Sequence, residues 1–190
     1  MKTIEEYSDE ELFYMLNQSK EQSENAFSEL YRRHSPRVFA YCKRYLGNQE
    51  EAKDVFQETF IRFYKSADKN RVMTNVPAFL LRIARNICVN FLKQKKNTQG
   101  HVSYEDYMAS QEEKKYSGDD ELLNLINTAL DTLPEKYKEM FILREYEGLS
   151  YSDIAEVTEE NVSNVKIRIH RAKQKIREIL EPYIKELDKF

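Results

Sequence analysis

Tryptophan is absent from this 190-residue chain, and glycine and proline are scarce, with four of each. Hairpins and sandwiches need turn residues at short intervals, so this shortage argues against a strand-and-turn architecture. Cysteine is nearly missing as well. Cys42 and Cys88 lie in apolar, helix-patterned segments without a CxxC pair, and they read as structural thiols of a reducing cytosol. No apolar run approaches the roughly 20 residues needed to span a bilayer. The opening "MKTIEEYSDEELF" is acidic where a secretion signal is basic and then apolar. The expected location is the cytoplasm, with no membrane insertion.

What the chain does have is helix-forming text. Hydrophobic residues make up 41% of it, enough to supply a core, and Lys, Glu, Leu, Arg and Ala fill long stretches at helical spacing. The expected fold is all-α. Net charge is only -3, but it is segregated. Residues 1–30 hold eight acids against two lysines, whereas residues 71–96 hold six bases (Arg71, Arg82, Arg85, Lys93, Lys95, Lys96) and no acid. The segment Asn164–Arg177, "NVKIRIHRAKQKIR", again has no acid among its seven basic or protonatable residues. Between the two basic stretches the text turns polar, acidic and aperiodic. The expected organisation is two small helical domains, 1–96 and 119–190, on a flexible acidic linker at 97–118.

Periodicity and end signals predict helices at 9–18, 24–46, 50–66 and from Pro77 onward in the first domain. Ser8 with Glu11 three residues on is a capping box. Pro36 interrupts the second helix, leaving it either two pieces or one kinked piece. In the second domain the pattern predicts helices at 119–131, 134–147, 151–158 and 161–187. Gly148 punctuates the chain, Ser150 and Asp153 form a further capping box, and Asn161 is an N-cap candidate.

On a helical wheel of the last helix, Val162, Val165, Ile169, Ala172 and Ile176 form an inward stripe, and Ser163, Asn164, Lys166, Ile167, His170 and Arg171 lie opposite. A short helix carrying Ile154, Ala155 and Val157, a turn of about three residues, and a longer basic helix are the layout of a helix-turn-helix (winged-helix-like) domain. In that layout Ser163, Asn164 and Lys166 reach base edges or phosphates in a major groove. Ile167 meets a thymine methyl, and Arg168, His170, Arg171 and Lys173 sit on the DNA backbone. The helix after Pro77 is also cationic. Leu80, Ile83, Ala84, Ile87 and Phe91 face inward, while Arg82, Arg85, Asn86, Val89, Lys93 and Lys96 lie opposite, with Phe79 near the start to pack or stack.

Three stretches in order carry a resemblance: "DVFQETFIRFY", then "FLLRIARNICVNFLKQKK", then "LPEKYKEMFILREYEGLSYSDIAEV" with "VKIRIHRAK". Together they resemble a bacterial extracytoplasmic-function (ECF) sigma factor of the sigma-70 superfamily, over almost the whole chain. The resemblance implies a non-enzymatic initiation factor. It would bind core RNA polymerase, direct it to particular promoters and help open them. It also implies that the second domain reads the upstream (minus-35) element as duplex. The first would hold the downstream (minus-10) element and its single-stranded non-template strand through Arg71, Arg82, Arg85, Asn86, Asn90, Lys93, Lys96 and the loop from Lys69 to Met73. On periodicity alone the outward face of the 50–66 helix is a solvated surface. The resemblance instead makes Asp54, Gln57, Glu58 and Ile61 the face that docks on the polymerase. The family commonly also uses an anti-sigma factor, and the sequence leaves that partner open.

Two departures stand out. The turn of the helix-turn-helix usually reads leucine–glycine–isoleucine in the family, whereas here it is Thr158, Glu159 and Glu160. Phe79 occupies a position often held by tryptophan. Two rival readings are weighed against this one. A stand-alone helix-turn-helix regulator would leave the first domain's cationic helix unexplained. A catalytic metal bundle needs Glu-x-x-His spacing, which none of His34, His101 and His170 completes. No cofactor or metal is implied.

Overall fold

Side chains able to cap a helix precede most of the helices in this chain. The structure is a computed structural model, and it describes residues 2–67, 72–98 and 120–187. Most of the linker, Lys69, Asn70 and Arg71, and the side chain of Lys96 lie outside the described residues. Among the described residues every regular element is helical, and the chain divides into two compact units.

In the first unit, α1 (Asp9–Met15) starts at Ser8. Ser8 Oγ accepts from Glu11 N at 3.2 Å, and the Glu11 carboxylate accepts from Ser8 N at 2.7 Å. The helix stops short of its expected end. Leu16, Asn17 and Gln18 each donate to the carbonyl three residues back, which tightens the chain out of the helix. Helix α2 (Lys20–Leu46) starts four residues earlier than the pattern predicts, because Ser19 and Gln22 form a second capping box. Pro36 neither splits nor ends it. Pro36 and Arg32 are both exposed, so the Arg32 carbonyl left without an N–H partner can be hydrated and the cost of the proline is reduced. Gly47 closes α2 at φ +73°, a conformation glycine adopts without penalty.

Asn48 Oδ1 accepts from the amides of Glu50 and Glu51 and starts α3 (Gln49–Lys65). Asn75 caps the start of α4 (Val76–Thr98) by accepting from Ala78 N at 3.0 Å. The core of this unit takes Leu12 and Phe13 from α1, and Leu30, Val38 and Tyr41 from α2. To these it adds Val55, Phe60 and Phe63 from α3, and Leu80, Leu81 and Ala84 from α4. Aromatic rings bind the layers together. Phe63 meets Phe13 at 5.6 Å and Phe79 at 6.1 Å, and Phe60 meets Tyr31 at 4.8 Å and Phe56 at 5.2 Å. Of the two roles open to Phe79, packing is the one seen. Both cysteines are fully buried, and neither forms a disulfide.

From residue 120 onward the chain forms α5 (Asp120–Asp131), α6 (Glu135–Phe141), α7 (Tyr151–Thr158) and α8 (Val162–Leu187). Helix α6 continues directly into a π-helical turn, Ile142–Tyr146. Ala129, Leu130 and Leu133 pack with Ala172, Ile176 and Leu180 into one apolar cluster. The predicted inward stripe of α8 is buried at Val165, Ile169, Ala172 and Ile176, but Val162, expected on it, is 39% exposed. Val162 is the first residue of the helix.

Candidate nucleic-acid interface

Helices α7 and α8 are held by local polar groups. Ser150 N donates to Asp153 Oδ2 at 3.1 Å and Asp153 N to Ser150 Oγ at 3.1 Å, so α7 starts on the expected capping box. The turn that follows is a Schellman closure, with Glu160 N donating to Ala155 O at 3.0 Å. Its left-handed residue is Glu159, at φ +58°. The missing glycine is therefore not compensated by a different turn; a glutamate takes the glycine conformation. Asn161 Oδ1 then accepts from Asn164 N at 2.8 Å and starts α8.

With Val165, Ile169 and Ala172 buried, helical geometry turns Ser163, Asn164, Lys166, Ile167, His170 and Arg171 outward, and all six are exposed. Three of the eight upstream-element candidates are engaged by groups from elsewhere in the chain. Arg168 is ion-paired with Glu160, Lys173 with Glu145 at 2.8 Å, and Arg171 donates to the phenol of Tyr137, holding that pKa below its ordinary value. Lys166 and His170 instead border a groove of about 440 Å³, together with Ile167, Arg171 and Tyr151. Tyr151 is absent from the sequence reading. Its ring lies under Lys166 Nζ at 5.6 Å and under the Arg144 guanidinium at 4.6 Å. Its one sequence signal is position, as the first helical residue after the Ser150 cap.

On α4 the buried face is displaced from the expected stripe: Leu81 and Cys88 are fully buried beside Leu80, Ala84 and Ile87, whereas Ile83 and Phe91 are only half-buried. Asn86, Asn90 and Lys93 are exposed, and Arg82 and Arg85 are half-buried. Of the preceding loop, Val72 is exposed and Met73 is buried. Arg71 and the Lys96 side chain are outside the described residues.

On α3, positions 54, 57, 58 and 61 share one face by helical spacing. Asp54 and Gln57 are exposed, and Ile61 is 47% exposed. Glu58 accepts from Arg62 at 2.7 Å. Behind this face Ala52, Val55, Thr59, Phe60 and Phe63 are buried. The Thr59 hydroxyl donates to Val55 O at 2.7 Å and so enters the core satisfied. Among the described residues no group of three or more His, Cys, Asp or Glu side chains could hold a metal ion, and no helix is long and apolar enough to cross a membrane.

Residues 30–98 match the Sigma-70 region 2 family and residues 123–176 match the Sigma-70, region 4 family. The ECF RNA polymerase sigma factor SigW of Bacillus subtilis is 30% identical over 178 residues, spanning 87% of this chain and 94% of that one. The chain is an ECF sigma factor. Its function is that of an RNA polymerase sigma factor, acting with core polymerase on promoter DNA in transcription initiation. Sigma factors in general are regulators of initiation and not enzymes. Two solved structures share the fold. One is the sigma factor RpoE of Bartonella quintana in complex with the anti-sigma factor NepR, at TM-score 0.66 and 21% identity, covering 82% of this chain and 96% of that one. The other is CnrH in complex with the cytosolic domain of CnrY, at TM-score 0.67 and 20% identity, covering 92% and 99%.

Proposed function

We propose a division of labour within this sigma factor, residue by residue. A first domain, 1–96, docks on core polymerase through Asp54, Gln57, Glu58 and Ile61. It captures the opened downstream element along Arg71, Arg82, Arg85, Asn86, Asn90, Lys93 and Lys96. A cationic ridge with neighbouring aromatic residues suits a single strand. A second domain, 119–190, reads the upstream element as duplex through Ser163, Asn164, Lys166 and Ile167. Arg168, His170, Arg171 and Lys173 meet the DNA backbone. The segment 97–118 tethers the two domains, so that binding by one raises the effective concentration of the other. The protein works in the cytoplasm and catalyses nothing itself.

The observation that carries this reading is the burial pattern of α8. An apolar stripe is sealed inside while an acid-free row faces out, with Ile167 in its middle at 50% exposure. A solvated surface helix would mix acids into that row. RpoE and CnrH are each solved with a protein partner, and we propose that this chain is likewise held by an anti-sigma factor when silent. Run-off transcription by core polymerase on a genomic fragment library, with and without the protein, tests the assignment. New start sites preceded by a common pair of elements are expected, and unchanged transcripts would overturn it.

A further inference from the structure

Tyr151 opens α7, and two cations from different elements lie against its ring. The Arg144 guanidinium is 4.6 Å from the ring centre and Lys166 Nζ is 5.6 Å from it. Arg144 is itself fixed, because its guanidinium donates to Leu149 O at 2.7 Å. The π turn supports this arrangement. Glu147 N donates five residues back to Ile142 O, and Leu149 N donates six back to Leu143 O. Such wide turns recur at functional sites. Lys166 is exposed and stands at the rim of the groove formed with Ile167, His170 and Arg171. A free lysine there would sample many rotamers, and a contact with DNA would have to order it. An aromatic face within about 6 Å supplies part of that order before DNA arrives.

We propose that Tyr151 is a positioning residue for upstream-element recognition: its ring, braced by Arg144, holds Lys166 over the groove so that the ammonium meets a DNA phosphate in place. The role belongs to the ring and not to the hydroxyl. It rests on the reading of α8 as the DNA-facing helix. The test uses the full-length protein with core polymerase and a promoter fragment recovered from the library experiment, with affinity measured across a KCl series. Tyr151→Phe should bind within about twofold of the parent, and Tyr151→Leu roughly three- to tenfold more weakly. Lys166→Ala should reduce the slope of log affinity against log salt by about 0.9. In the Lys166→Ala background, Tyr151→Leu should add less than about twofold.

Three results overturn the proposal while leaving α8 as the reading helix. They are a silent Tyr151→Leu beside a damaging Lys166→Ala, a Tyr151→Phe as weak as Tyr151→Leu, and an undiminished Tyr151→Leu loss when Lys166 is already gone. A silent Lys166→Ala removes the DNA-facing assignment of Lys166, and the proposal with it.

Discussion

Arg33 ties the start of the chain to α2. Its guanidinium donates to Glu29 Oε1 at 2.7 Å, to Asp9 Oδ1 at 2.8 Å, and to the carbonyls of Tyr7 and Glu5. Arg32 adds two bonds to the same Glu29, and His34 Nε2 lies 2.7 Å from Asp9 Oδ2. The bonds from Arg32 and then Arg33 lower the Glu29 pKa from 4.5 to about 2, and the His34 hydrogen bond holds Asp9 below its ordinary value. A carboxylate whose pKa is depressed on folding contributes stability that is complete above its unfolded pKa and is lost as pH falls toward the folded one. The first unit should therefore lose stability between about pH 4.5 and 2, followed by circular dichroism. Glu29→Gln should melt at lower temperature than the parent at pH 7 and show a flatter pH dependence across that window. Identical profiles would remove Glu29 from the account. Glu159 is the other residue of consequence, because φ +58° costs a residue with a Cβ roughly 1 kcal/mol. Glu159→Gly should stabilise the protein against urea by about 0.5–1 kcal/mol, part of the relief being offset by glycine's greater unfolded entropy.

At the scale of elements, α3 presents two different faces. One is sealed by Ala52, Val55, Phe60 and Phe63, and the other leaves Asp54, Gln57 and Ile61 in solvent. A substitution on the outer face leaves packing alone, so Asp54→Lys should melt within a degree or two of the parent. The same substitution should reduce co-purification with core polymerase at least tenfold, since like charges facing each other across an interface cost several kcal/mol. Undiminished co-purification would place the docking face elsewhere. Helix α8 is built on the same plan, but its cations are unequal. Glu160, Glu145 and Tyr137 engage Arg168, Lys173 and Arg171, whereas Lys166 is drawn toward a ring.

For the whole molecule, charge decides how the parts work together. A net charge of -3, with eight acids in residues 1–30, opposes phosphate while two short segments attract it. The chain without polymerase should bind promoter duplex only weakly, with Kd above about 1 μM at physiological salt, in the non-specific range. Fluorescence anisotropy on a labelled duplex checks this. Nanomolar binding by the isolated protein would overturn this charge argument.

The sequence by itself determined the helical class, most helix starts and the sorting of apolar from cationic faces. Those features depend on residues a few positions apart. Ser8 caps with Glu11, Ser150 with Asp153, and Val165, Ile169 and Ala172 share a stripe through the 3.6-residue turn. Even the early start of α2 was legible, in Ser19 and Gln22. Only the tertiary structure decided which cations are engaged, that Pro36 lies within one unbroken helix, that Leu81 is inside, and that Arg144 and Lys166 both meet the Tyr151 ring. Each of these depends on groups that a local pattern does not bring together, namely a carboxylate or ring from another helix, or water at an exposed carbonyl. Local periodicity sets the direction in which a side chain leaves its helix, and the packing of other elements sets what it meets.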